Sequence, residues 1–233
     1  MKSLEHNATH LMIGLALAGA LGLGTARAQV CAGNLTNRAD VVGATPGNDY
    51  NVHYDINAMS ADFFPALNAG WVRDALFGSH HAFVNTNAFR NPNFSATPND
   101  TCISAGAPCW ADAPLDRIRL STYINGQNEP FTRSVINHEL FHHVQYAYIN
   151  FGDWPSWGGW AIEGTPPAME DKSFADVDNN AMNSRYVGDV NFFLGNPNLT
   201  LMSRNYDAAH FWNYLAEQFS AAAAEPNRGV DVL

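Results

Sequence analysis

The chain has 233 residues, with 22 acidic side chains against twelve lysines and arginines and a formal net charge of −10. An acid excess of this size argues against nucleic acid and against anionic membranes as partners, because both carry the same sign. No internal repeat, nucleotide-binding loop or Ser-His-Asp signature is present, which leaves an acidic enzyme or binding domain.

Residues 1–28 read as a secretory signal. Lys2 gives a short positive start, Leu11 to Gly24 form an apolar core, and Ala26-Arg27-Ala28 is a small-x-small cleavage site before Gln29. The apolar run falls short of the ~20 residues a membrane span needs, and no second run follows. The expectation is an exported chain, secreted or periplasmic, cleaved after Ala28, with residues 29–233 as one domain. Val30 stands where a lipoprotein signal would place a small residue before Cys31, so no lipid anchor is expected. Export admits disulfides. Cys102 and Cys109 close a short loop and form the expected pair, which leaves Cys31 without a partner in the chain.

Residues 29–50, rich in Asn, Gly and Thr, read as a loose lead-in. Val52 to Ile56 alternates in the manner of a strand. Ser60 caps an expected helix to about Phe77, with Phe64, Leu67, Trp71, Ala75 and Leu76 near one face. His80 and His81 are adjacent and cannot share a helix face, so no accessory metal site is expected there. Residues 85–114, rich in Asn and Pro, read as a long loop suited to a substrate rim. Leu115 to Tyr123 reads as a half-buried strand with Ile118, Leu120 and Thr122 inward, followed by an Asn125-Gly126 turn.

The segment Ser134 to Tyr148 holds His138-Glu139-Leu140-Phe141-His142, an HExxH pattern. Positions i and i+4 lie on one helix face, so His138 and His142 can aim ring nitrogens at one metal ion. Glu139, one residue round, reaches the attacking water and not the metal. A plain amphipathic helix with Ile136, Leu140, Val144 and Ala147 as its buried stripe is the competing reading. His143 points about 100° away and reads as packing or surface.

A third ligand separates the two readings, since catalytic zinc takes three protein ligands and keeps one position open. An HExxHxxGxxH continuation fails, because Gln145 and Tyr148 occupy its last two places. A GTxxD continuation is weak, because position 168 is alanine. Trp160-Ala161-Ile162-Glu163-Gly164, with twenty residues separating His142 from Glu163, fits a W-x-x-E-G segment. With HELFHHVQYAY before it, this segment resembles the gluzincin metallopeptidases, in particular secreted bacterial metalloproteases of that type.

The resemblance covers residues 135–171 and, more loosely, 206–219. It implies an α+β zincin-like fold: a small twisted sheet, an active-site helix and a helical C-terminal lobe. It implies zinc held by His138, His142 and Glu163, Glu139 as general base, and a Tyr or His from the helical half at the oxyanion, here Tyr206 or His210. It also implies that the strand before the metal helix forms the cleft edge for an extended peptide. Pro166-Pro167 replaces the family's usual Ala-aromatic pair, so Glu163 is expected just before a helix that starts near Pro166 or Pro167. Glu170 and Asp171 are candidate partners for the outer nitrogens of the ligand histidines.

Residues 181–203 read as loop and short helix, and Tyr206 to Ala224 as a helix ending before Pro226. The resembling peptidases continue with more helix past the point where this chain stops, which reads as a C-terminal truncation. The function expected is hydrolysis of a peptide or protein substrate. A catalytically silent zinc-binding domain, or a zinc hydrolase of a non-peptide amide or ester, is the alternative.

Overall fold

A computed structural model describes residues 31, 37–41, 50–54, 65–95, 99–104, 111–122, 124, 127–173 and 183–221. The leader, Cys109, the Asn125-Gly126 turn and the segment after residue 221 lie outside the described residues. The fold is mixed α+β. Five strands, β1 (Asn37–Val41), β2 (Tyr50–Tyr54), β3 (Asn99–Ser104), β4 (Ala111–Asp112) and β5 (Arg117–Ser121), form one sheet in the order β1-β2-β3-β5-β4. The central pairs β2/β3 and β3/β5 are parallel; β1/β2 and β4/β5 are antiparallel.

Helix α1 (Pro65–His80) makes the crossover between the parallel strands β2 and β3, and runs on into a π-helical stretch, His81–Thr86. Helix α2 (Glu129–Gln145) packs against α1. The core lies between sheet and helices, built from Val52, Ile103, Ile118 and Leu120 on the strands and Val72, Leu76, Ile136, Leu140 and Val144 on the helices. Tyr50, buried in the same core, satisfies its hydroxyl on His80 Nδ1 at 2.7 Å. A helical C-terminal part follows: short α3 (Trp154–Trp157) and α4 (Gly159–Ile162), then α5 (Thr165–Ser173), α6 (Asn183–Gly195) and α7 (Ala209–Phe219).

Several sequence expectations are corrected here. The lead-in contains strand β1, and the supposed loop 85–114 contains β3 and β4. Polar strands such as Asn99-Asp100-Thr101 carry little apolar signal, and tertiary pairing decides their state. Residues 181–203 contain the thirteen-residue α6. Strand β5 is not the sheet edge, because β4 pairs with it at Ala111↔Leu120 and Asp112↔Arg119. Cys102 bonds to Cys31 and not to Cys109: their Cα atoms are 5.5 Å apart, across a separation of 71 residues. Loop length favours the short Cys102–Cys109 closure, but β3 carries Cys102 to the Cys31 segment. The burial of Ile118 and Leu120 and the start of α5 just past Glu163 agree with the sequence reading, whereas Thr122 lies past the end of β5 and is only half-buried. His80 and His81 form no metal cluster among the described residues, and His80 is buried under Tyr50.

Candidate metal centre

Helix α2 is capped by its own residues. The Asn128 side chain accepts a hydrogen bond from Phe131 N at 2.9 Å, and Pro130 occupies the first turn, where no amide donor is needed. Glu129 pairs with Arg133 one turn on, at 2.6 Å. Of the expected stripe, Ile136, Leu140 and Val144 are buried, whereas Ala147 lies past the end of α2 and is only half-buried. Polar residues all round the rest of the helix are buried too: Asn137, His138, Glu139, His142 and His143 are each no more than 7% exposed. A solvated amphipathic helix would leave the side facing away from its apolar stripe in water. Burying it is costly unless every group finds a partner.

His143 finds a structural one. Its ring stacks on Phe94 at 3.6 Å and lies 3.2 Å from both Asn93 O and Arg117 O, tying α2 to the strand region. Burial lowers its imidazole to about 4, so it is neutral and packs as the sequence reading expects.

His138 and His142 converge instead on Glu163. Glu163 caps the end of α4, its amide bonded to Gly159 O at 2.8 Å, just before α5 begins. The surrounding motif has a mechanical explanation. Trp160 stacks on Trp212 of α7 at 5.2 Å, and Trp212 Nε1 donates to Trp160 O at 2.9 Å. A Cβ at Gly164 would lie 2.2 Å from Trp160 O and 2.8 Å from Ala208 Cβ, so only glycine lets the backbone close there. Glu163 Oε2 is thereby held 3.7 Å from His138 Nε2 and 3.6 Å from His142 Nε2. Bonds of ~2.0–2.1 Å to a tetrahedral zinc would place ligand atoms about 3.3–3.4 Å apart, so a small contraction completes the set.

The outer nitrogens are occupied. His138 Nδ1 is 2.7 Å from Glu170 Oε1, and Ser134 Oγ donates to the other Glu170 oxygen. His142 Nδ1 is 2.8 Å from Gln145 Oε1. Glu170 is thus one of the two carboxylates the sequence nominates for this place; the side chain of Asp171 lies outside the described residues. Gln145 is a partner that sequence reasoning misses. Its amide nitrogen reaches Ala161 O, Ile162 O and Thr165 Oγ1 at 3.3, 3.1 and 2.7 Å, the backbone and side chain flanking Glu163. The signal that could have found it is an amide three residues past a ligand histidine, on the same helix face.

Three carboxylates surround the two rings. Burial alone would lower His138, but the facing Glu163 carboxylate, the hydrogen bond to Glu170 and the charges of Glu139 and Glu170 outweigh it and raise the ring to about 9. Burial alone would raise Glu163, but the two facing imidazoles hold its carboxyl well below the usual range. Burial, aided by the charges of Glu163 and Asp112, raises Glu139 against the pull of both histidines. A divalent cation would neutralise this crowded, water-poor acidic group, and two imidazoles with a carboxylate are the donors zinc accepts.

Tyr206 and His210 make different ring contacts. The Tyr206 ring lies 5.8 Å from the His138 ring, and its side chain is partly exposed at the site. The His210 ring lies 5.8 Å from Phe193 of α6. The turn carrying Tyr206 is braced by buried Arg204, which donates to Asp207 at 2.6 Å and to Asn196 O at 2.7 Å and sits over the Phe193 ring. No family model matches the chain, and comparison with characterised proteins and with solved structures finds no match either.

Proposed function

We propose that the chain is a secreted zinc-dependent endopeptidase with a zincin-like fold of the gluzincin type. The observation that carries this reading is the convergence of His138 Nε2, His142 Nε2 and Glu163 Oε2, with the outer ring nitrogens tied to Glu170 and Gln145. Zinc bound there supplies Lewis acidity, acidifying a water and polarising a carbonyl oxygen. Glu139 is the general base. Its raised carboxyl binds a proton more strongly than a surface glutamate does, which suits it to take one from the attacking water and pass it to the leaving amine nitrogen.

Tyr206 donates a hydrogen bond to the carbonyl oxygen as negative charge develops on it. Its place beside His138 favours it over His210, whose ring faces Phe193. Glu170 and Gln145 keep both imidazoles in the tautomer that presents Nε2. The substrate is a peptide or protein. The disulfide between buried Cys31 and Cys102 supports an oxidising, extracytoplasmic location. No helix among the described residues is long and apolar enough to cross a membrane.

Replacing Glu139 by Gln tests the mechanism. The variant should retain one zinc per chain while kcat/KM on a peptide substrate falls by about 10²–10⁴-fold. A zinc-loaded Glu139→Gln protein as active as the wild type would remove the general base from the scheme.

A further inference from the structure

The outer face of the sheet carries a second constellation that peptide hydrolysis does not use. Cys31, His53 and Asp100 bring a sulfur, an imidazole nitrogen and a carboxylate oxygen within 4.8 Å of one another. The sulfur of Cys102 is bonded to that of Cys31. Parallel register sets His53 opposite Cys102, and Asn51 opposite Asp100, so strand alternation projects these four side chains from one face. Both cysteines are 4% exposed and Asp100 is 7% exposed.

We propose that Cys31, Cys102, His53 and Asp100 form a redox-gated metal site, a disulfide when oxidised and a two-sulfur, one-nitrogen, one-oxygen zinc site when reduced. A covalent staple between Cys31 and β3 needs only the two sulfurs. Here an imidazole and a buried carboxylate are also drawn up to it, with His53 Nε2 3.1 Å from Asp100 Oδ1. The same arrangement, an imidazole nitrogen and a carboxylate oxygen at near contact, marks the His138–His142–Glu163 centre. Asn51 Nδ2 donates to Asp100 Oδ1 at 3.2 Å and orients that carboxylate. Tetrahedral zinc with bonds to sulfur of ~2.3 Å needs sulfurs about 3.8 Å apart, a separation side-chain rotation provides once the covalent bond is broken.

The chemistry balances. A dithiol reductant gives two electrons and two protons to the Cys31–Cys102 bond and becomes a disulfide itself. The two thiols then release two protons as zinc binds the thiolates. Oxidation by a disulfide reverses the sequence and expels the metal. The site is independent of the hydrolytic reading.

Cobalt(II) titration tests it, because thiolate-to-cobalt charge transfer absorbs strongly in the near ultraviolet and the His138–His142–Glu163 centre has no sulfur. The full mature chain carries Cys109→Ser so that no other thiol contributes, and a phosphine serves as reductant because it gives the same two thiols without competing for metal. Oxidised protein should show no such band. Reduced protein should bind one further equivalent with the band, and zinc should bleach it. His53→Ala or Asp100→Asn should weaken that equivalent at least tenfold and leave the other unchanged. If the reduced chain loses its fold, recovery on adding zinc supports the site, and failure to recover overturns it. Reduced, folded protein that gains no band, or a band indifferent to both substitutions, also overturns it.

Discussion

Gln145 holds the geometry of two candidate metal ligands at once: it receives His142 on its oxygen and grips the turn bearing Glu163 with its nitrogen. Gln145→Ala should weaken zinc binding by about 10–100-fold. Gln145→Glu should fall as far, because it keeps an acceptor for His142 but turns a carboxylate toward Ala161 O and Ile162 O; wild-type affinity in competition titrations would contradict this. Protons compete at the same centre. In the metal-free protein the His138 ring is held at about 9, so below that pH zinc must displace a proton, while Glu163, held low, has none to give at neutral pH. Zinc affinity should therefore rise with pH by up to about tenfold per unit and level off near 9. Calorimetry in buffers of different ionisation enthalpy counts the released proton; an affinity flat between about pH 6 and pH 9 would contradict the assignment.

The helix and the turn that bring these residues together differ in how far their sequence reveals them. The HExxH spacing, the buried stripe of α2 and the W-x-x-E-G segment are local patterns, so the convergence of His138, His142 and Glu163 is legible in the chain itself. Burial of the polar face of α2 is not, because it depends on what α5 and the sheet bring against it. Nor is the role of Gln145, whose partners lie 16 to 20 residues away across an irregular turn. Strands β1 and β3 are hidden because most of their residues are polar, β4 because it is only two residues long, and β3 also because its partner β2 lies far back in the chain. The turn makes its own prediction. Gly164→Ala would drive a methyl into Trp160 O and Ala208, costing about 1–3 kcal/mol and displacing Glu163. Thermal denaturation should show a lower Tm, and the zinc-induced rise in Tm should shrink; an unchanged Tm and zinc response would mean that the turn is not tightly closed.

At the scale of the whole molecule, a covalent constraint acts on the folded chain, and a bound metal would add a second. The Cys31–Cys102 bond joins residues 71 apart, and loop-closure entropy puts its stabilisation at about 4 kcal/mol before any strain is deducted. A metal bound at the candidate centre would act separately, by mass action on the folded state. Zinc at a hundred times its Kd should add about 2.7 kcal/mol, or roughly 5–10 °C in Tm for a domain of this size, and chelation should remove that increment. The same rise in a His138→Ala/His142→Ala protein would place the stabilising metal elsewhere. The central claim is that this centre cuts peptide bonds. The most direct measurement is mass spectrometry of a diverse peptide mixture incubated with the zinc-loaded mature chain beside its Glu139→Gln variant. The account predicts internal cuts made by the wild type and absent from the variant. A folded, zinc-loaded wild-type protein that leaves every peptide intact would contradict it.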